Sequence, residues 1–221
     1  MFGHVENNAY LCNGFQKQII LMVDKIILNI PHSSIILPVN TWEGDITPHI
    51  KRWTDFHTDR LFTPNNTKEV TPVIFPVSRF FCDAERLYGD PLEKDGQGIY
   101  YTHFGECKRN EGLKDYAMGL WQNHMNLLSS LITSNDTLLI DCHSFPSDLS
   151  DIDICIGYNN DWSSPSDELL NHIKEYFEKA GYNVGINSPY SNSLTPPSIY
   201  KYKSFMIEVN KSIYLDKDNR F

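Results

Sequence analysis

Five short apolar runs, at 25–30, 73–77, 137–142, 152–156 and 204–209, constrain this chain more than any other feature. Each is rich in Ile, Val, Leu or Phe and too continuous for a strand with one wet face. Each therefore predicts a strand buried on both faces of a sheet. Helix-like segments lie between them. Over 111–133, Leu113, Met118, Leu120, Trp121, Met125, Leu128 and Leu131 recur at roughly helical spacing. The segment 166–180 is entered through Ser164-Pro165 and stops before Gly181, residues suited to a helix start and a helix end. The alternation predicts an α/β fold: a three-layer α/β/α arrangement around a mostly parallel or mixed central sheet. In such sheets ligands gather beyond the carboxyl ends of the strands.

The 221 residues suit one such domain, over 26–221, with 1–25 as an N-terminal extension. A formal charge of −9 and the lack of a basic run exclude a nucleic-acid groove. A local arginine pair can still hold a small anionic substrate against that field. The stretch 19–30 is broken by Asp24, Lys25 and Asn29 and is too short to cross a bilayer, so no membrane association is expected. Residues 1–10 contain no apolar run of the kind a secretory signal needs. Cys12, Cys82, Cys107, Cys142 and Cys155 are odd in number and form no CxxC, which argues against a disulfide framework and for a reducing cytoplasm. Nothing in the sequence sets the oligomeric state.

Two runs end alike: 26–30 leads into Pro31-His32-Ser33 and 138–142 into His143-Ser144. Imidazole is a common zinc ligand, and a strand end holds it rigidly. A catalytic zinc takes three protein ligands and keeps one position open, so His32 and His143 call for a carboxylate. The source is Thr54-Asp55-Phe56-His57-Thr58-Asp59, where Asp55 and Asp59 would share one helical face, one as ligand and the other orienting a histidine. His57 is a rival ligand. Arg79 and Arg86 follow the second run and can clamp carboxylates, or pair internally with Asp83 or Glu85. Glu208 lies inside the last apolar run, where a carboxylate needs a reason. It fits a general base beside a metal site, or a partner for Lys211. The segments 88–108 and 187–197 read as long irregular loops.

These motifs, in this order, resemble the N-formylglutamate amidohydrolase family. They are Pro31-His32-Ser33, Asp55 to Asp59, Ser78-Arg79 with Asp83-Ala84-Glu85-Arg86, Gly96 to Tyr100, His124, Asp141 to Ser144, Asn187 to Tyr190, and Glu208-Val209-Asn210-Lys211 followed by Tyr214. The resemblance runs from about 26 to 216. It implies a fold similar to zinc carboxypeptidases and hydrolysis of N-formyl-L-glutamate to formate and glutamate, late in histidine breakdown. It also implies one zinc held by His32, Asp55 and His143, Glu208 as general base, and Arg79 and Arg86 on the substrate. His124, Ser144 and Asn187 are further candidates for the substrate pocket. Ser34, Ser191-Asn192-Ser193 and Lys211 depart from the family pattern around the pocket and leave the metal residues untouched. Rival readings are a carboxypeptidase-like hydrolase of another N-acyl amino acid or short peptide, and a ligand-binding relative without turnover. A serine hydrolase lacks its Gly-x-Ser-x-Gly elbow here. A Cys142–His143 dyad would need adjacent strand residues to share a face.

Overall fold

The computed structural model describes residues 14, 16, 19, 22–38, 40–64 and 68–221. The strands of the main sheet are β1 (Lys25–Ile30), β3 (Val70–Ile74), β6 (Thr137–Phe145), β7 (Ile154–Gly157), β8 (Val184–Ile186) and β9 (Lys203–Asn210). A smaller antiparallel sheet joins β2 (Trp42–Glu43), β4 (His103–Phe104) and β5 (Cys107–Arg109). The helices are α1 (Thr47–Trp53), α2 (Thr58–Phe62), α3 (Lys114–Leu131) and α4 (Asp167–Lys179).

The main sheet has the order β3-β1-β6-β9-β7-β8. Strands β3, β1, β6 and β9 run parallel, β7 runs against β9, and β8 follows β7. One face packs Ile26, Leu28, Leu138, Ile140, Phe205 and Ile207 against Leu169, Leu170, Ile173 and Phe177 of α4 and Leu61 and Phe62 of α2. The other packs Ile27, Val73 and Leu139 against Ala117, Trp121, Met125 and Leu128 of α3. This is the expected three-layer α/β/α arrangement with a mixed, mostly parallel sheet.

Helix α4 starts where the sequence indicates. Ser166 accepts a hydrogen bond from the Leu169 amide, and Asp167 and Glu168 sit in the positive first turn. The second strand lies upstream of its expected place, at Val70–Ile74. It tolerates Pro72 because β3 is an edge strand with one unpaired side. The expected helical face shared by Asp55 and Asp59 does not form. His57 adopts a left-handed backbone (φ 61°), so α2 begins only at Thr58 and Asp55 stays in an irregular segment before it.

Of the 1–25 extension, residues 1–13, with Cys12, lie outside the described residues. Ile19 is buried, and the Gln16 side-chain amide donates to the Phe62 carbonyl at 2.7 Å. Cys82, Cys107, Cys142 and Cys155 are buried. Among the described residues, no helix is long and apolar enough to cross a membrane.

Candidate metal centre and active-site cleft

Pairing of β1 with β6 ends at Asn29–Asp141, whereas β9 stays paired with β6 through Phe145–Asn210. His32 therefore lies on the loop just beyond β1, but His143 is still inside β6, in register with Glu208 on β9. Parallel neighbours in register project to the same face, so Glu208 and His143 emerge side by side. Asp55 is brought in from the segment after α1, its amide donating to the His32 carbonyl at 3.0 Å.

Asp55 Oδ2 lies 3.0 Å from His143 Nδ1 and 3.7 Å from His32 Nδ1. His32 Nε2 is 2.7 Å from Asp83 Oδ1. That carboxylate takes the Nε2–H and turns the bare Nδ1, buried and without a hydrogen-bond partner, toward Asp55. Glu85 approaches both rings, 3.3 Å from His143 Nε2 and 3.9 Å from His32 Nδ1. Asp83 also accepts from Arg79 (3.0 Å), Tyr101 (2.5 Å) and the Glu85 amide (3.1 Å).

Burial and charge oppose each other throughout. Burial raises the Asp55 carboxyl, but His143 and His32 outweigh it and hold the group below its usual range. At Asp83 burial is likewise outweighed by His32, Arg79 and Arg86, and at Glu85 by His143, His32 and Arg86, which bring Glu85 to about 2. At Glu208 burial dominates, Asp55 and Glu85 add to it, and its carboxyl is pushed up to about 8. His143 is raised well above the usual imidazole value. Burial opposes this, but Glu85, Asp55 and Glu208 prevail.

Ligand atoms of His32, Asp55 and His143 all lie within 4.8 Å of one another. The orphaned Nδ1 of His32 and the mixed N/O donors fit a divalent metal ion.

A cleft of about 250 Å³ opens here, lined by Asp55, Glu85, His143 and Glu208 together with Arg79 and Arg86. Trp53, Tyr101, Phe104, Pro146, Tyr190 and Met206 add apolar and aromatic surface, and Gln97, Ser144 and Ser191 complete the lining. Glu208 Oε2, Ser144 Oγ and Arg86 Nε are buried without hydrogen-bond partners. The 88–108 excursion thus supplies Gln97, Tyr101 and Phe104 to the cleft.

Several candidates lie elsewhere. His124, expected in the substrate pocket, is on α3. Its Nε2 donates to Asn29 Oδ1 at 2.8 Å, and its ring packs edge-on against Phe75. Burial, with His32 adding, lowers it to about 4, so it is a neutral donor in the core. Asn187 is exposed, its Oδ1 accepting the Tyr158 amide; Tyr190 and Ser191 of the same loop reach the cleft instead. His57 packs against Phe221, and neither it nor Asp59 joins the cluster. Glu208 does not pair with Lys211, whose ammonium donates to the Arg52 carbonyl. Asp83 and Glu85, read from sequence only as partners for arginine, back the histidines. Their spacing between Arg79 and Arg86 was the available signal. Tyr101 and Asn29 carried none.

Fold and cleft together define a three-layer α/β/α protein whose strand ends gather a buried His/Asp/Glu cluster able to hold a metal ion, beside a protonatable glutamate. The sequence profile of N-formylglutamate amidohydrolase matches residues 24–215, and the chain belongs to that family. Its fold is similar to the crystal structure of N-formylglutamate amidohydrolase from Ralstonia eutropha JMP134, with a TM-score of 0.66, 16% identity, and coverage of 90% of this chain and 85% of that one. No functionally curated protein matches the chain.

Proposed function

We propose that the chain is a metal-dependent amidohydrolase that cleaves the formamide of N-formyl-L-glutamate, yielding formate and glutamate. The observation that carries this reading is the pairing of Glu208 with His143 across β6 and β9, beside Asp55 and His32, in a cleft that also presents two guanidiniums. Family membership supports the amide substrate.

His32, Asp55 and His143 would hold the ion, His32 through its unpartnered Nδ1. When bound, it supplies Lewis acidity toward water and the amide carbonyl. Glu208 accepts a proton from water and returns it to the leaving nitrogen. Its Oε2 is free for this, and a nearby cation favours the ionised form that burial otherwise resists. Arg79, fixed by Asp83 and Tyr101, would stabilise the oxyanion. Arg86 and Ser144, which line the cleft and whose Nε and Oγ make no hydrogen bond, would meet substrate polar groups. His124 and Asn187 have no part in this reading.

The aromatic share of the cleft favours one second reading, an N-acyl amino acid with an apolar side chain. Formate release from N-formyl-L-glutamate, measured with added zinc and with chelator, tests the proposal. Chelator-sensitive release is expected. Zinc-loaded protein that releases formate only from apolar N-formyl amino acids would replace the substrate, and chelator-insensitive release would remove the metal.

A further inference from the structure

The motif Glu208-Val209-Asn210-Lys211, with Tyr214 after it, is used by the proposed chemistry only at its first residue. Glu208 faces the cleft, and Val209 faces the opposite side of β9 and joins the apolar core. Asn210 ends the strand. Its Nδ2 donates to the carbonyls of Ser150 and Ile152 (3.2 and 3.0 Å), and its Oδ1 accepts from the Ser212 amide and hydroxyl (3.0 and 2.8 Å). The chain there turns into a 3-10 helix, Lys211–Ile213.

That turn delivers Lys211 to the C-terminal end of α1, where its Nζ donates to the Arg52 carbonyl at 2.6 Å. Tyr214 donates from its hydroxyl to the Phe56 carbonyl at 2.9 Å. The two donors grip the backbone three residues before Asp55 and one residue after it. Lys211 is 8% exposed and Tyr214 3%. A lysine is seldom buried this far without a dedicated partner, and a solvated lysine would complement the end of α1 without the desolvation cost.

What the burial secures is Asp55. The segment 54–57 lies in neither helix nor strand, so no ladder fixes it. On one side it is tied to β1 through the Asp55 amide and the His32 carbonyl. Its other backbone ties are local, from Thr54 back to Ile50 and from Thr58, Arg60 and Leu61 to the Asp55 and His57 carbonyls, and the tethers that reach it from another strand end come from the residues immediately after Glu208. We infer that Lys211 and Tyr214 are positioning residues that hold the 52–56 segment so that the Asp55 carboxylate stands between His32 and His143. The inference rests on the proposed role of Asp55 as a metal ligand.

The test compares wild type with Lys211→Met, Tyr214→Phe and Lys211→Arg. Zinc affinity is read by competition with a chromogenic chelator, and melting of the metal-free proteins serves as a folding control. Lys211→Met is expected to bind zinc roughly 10–100-fold more weakly, the usual effect of removing support behind a ligand. Tyr214→Phe should show a smaller loss and Lys211→Arg near-complete recovery. Folded Lys211→Met and Tyr214→Phe proteins with wild-type zinc affinity would overturn the inference. If Lys211→Met fails to fold, Tyr214→Phe, which lacks one hydroxyl, decides the matter. If wild type itself takes up no zinc, the proposed metal role falls by that result alone. The tethers are then judged by amide exchange over 53–58 in metal-free Tyr214→Phe. Faster exchange than wild type supports them, and unchanged exchange overturns them.

Discussion

On the face of the sheet under α4, the strands β1, β6 and β9 present Ile26, Leu28 and Ile30, then Leu138, Ile140 and Cys142, then Phe205, Ile207 and Val209. On the face under α3 the same strands present Ile27 and Asn29, then Leu139, Asp141 and His143, then Ser204, Met206 and Glu208. Both faces are dry. The first is apolar from end to end, and the second changes along the strand direction from apolar residues to a polar layer and then to the cleft. Burial on the first face drives folding. On the second, each polar group needs a partner. Asp141, raised by burial to about 6, takes hydrogen bonds from Asn29 (2.7 Å), Ser193 (3.1 Å) and the Leu194 amide, and His124 supports Asn29. One step further, His32 Nδ1 and Glu208 Oε2 have no such partner, and they belong to the proposed reaction site.

This contrast can be broken at either face. The largest effect is expected from Glu208→Gln, which keeps the shape of the α3 face but cannot accept a proton. Turnover should fall by roughly 10²–10⁴-fold with the melting temperature little changed, read from steady-state kinetics beside thermal unfolding. Leu138→Ala on the α4 face should do the reverse. It leaves a cavity in an apolar layer and costs about 2–5 kcal/mol of stability in denaturant unfolding, while kcat per folded molecule stays at the wild-type level.

The smallest effect is in the pH dependence of the metal-free protein. Glu208, raised to about 8, and His143, raised well above its usual value, both bind protons more tightly when folded. Their contribution to stability is complete below the ordinary glutamate value of 4.5 and is lost as pH rises through their folded values. The depressed carboxyls of Asp55 and Glu85 act the other way, but their window lies below that of the free carboxylates; His124, lowered to about 4, gains stability up to its ordinary value of 6.5, while Asp141, raised to about 6, loses it over the same interval as Glu208. Chelated protein should therefore melt a few degrees lower as pH goes from about 5 to about 8. A melting temperature that rises over this interval would contradict the assignment.

Much of this arrangement was legible in the sequence, because apolar runs bracket it. The β1 run agrees with the strand at both ends, and the runs of β6 and β9 differ only at their termini. His32 and His143 were singled out from residue type and strand-end position and Asp55 through the family resemblance, and the three do come together. Sequence reasoning failed where the cause is non-local. The choice of Asp55 over Asp59 depends on one left-handed residue, His57. His124 was read as a pocket residue because its partner, Asn29, lies 95 positions away. The strands β2, β4, β5 and β8 span two or three residues each, too few for any periodicity. Asp83 and Glu85 looked like partners for the arginines around them, and Asp83 is one, but His32 and His143 complete their surroundings.

The central claim is that the α3 face ends in a site for one metal ion. Zinc content per chain, measured after dialysis for wild type, Asp55→Ala and Glu208→Gln, tests it most directly. About one ion per chain is expected in wild type and in Glu208→Gln, with loss in Asp55→Ala. Wild-type protein free of zinc, or zinc that stays when Asp55 is removed, would contradict the account.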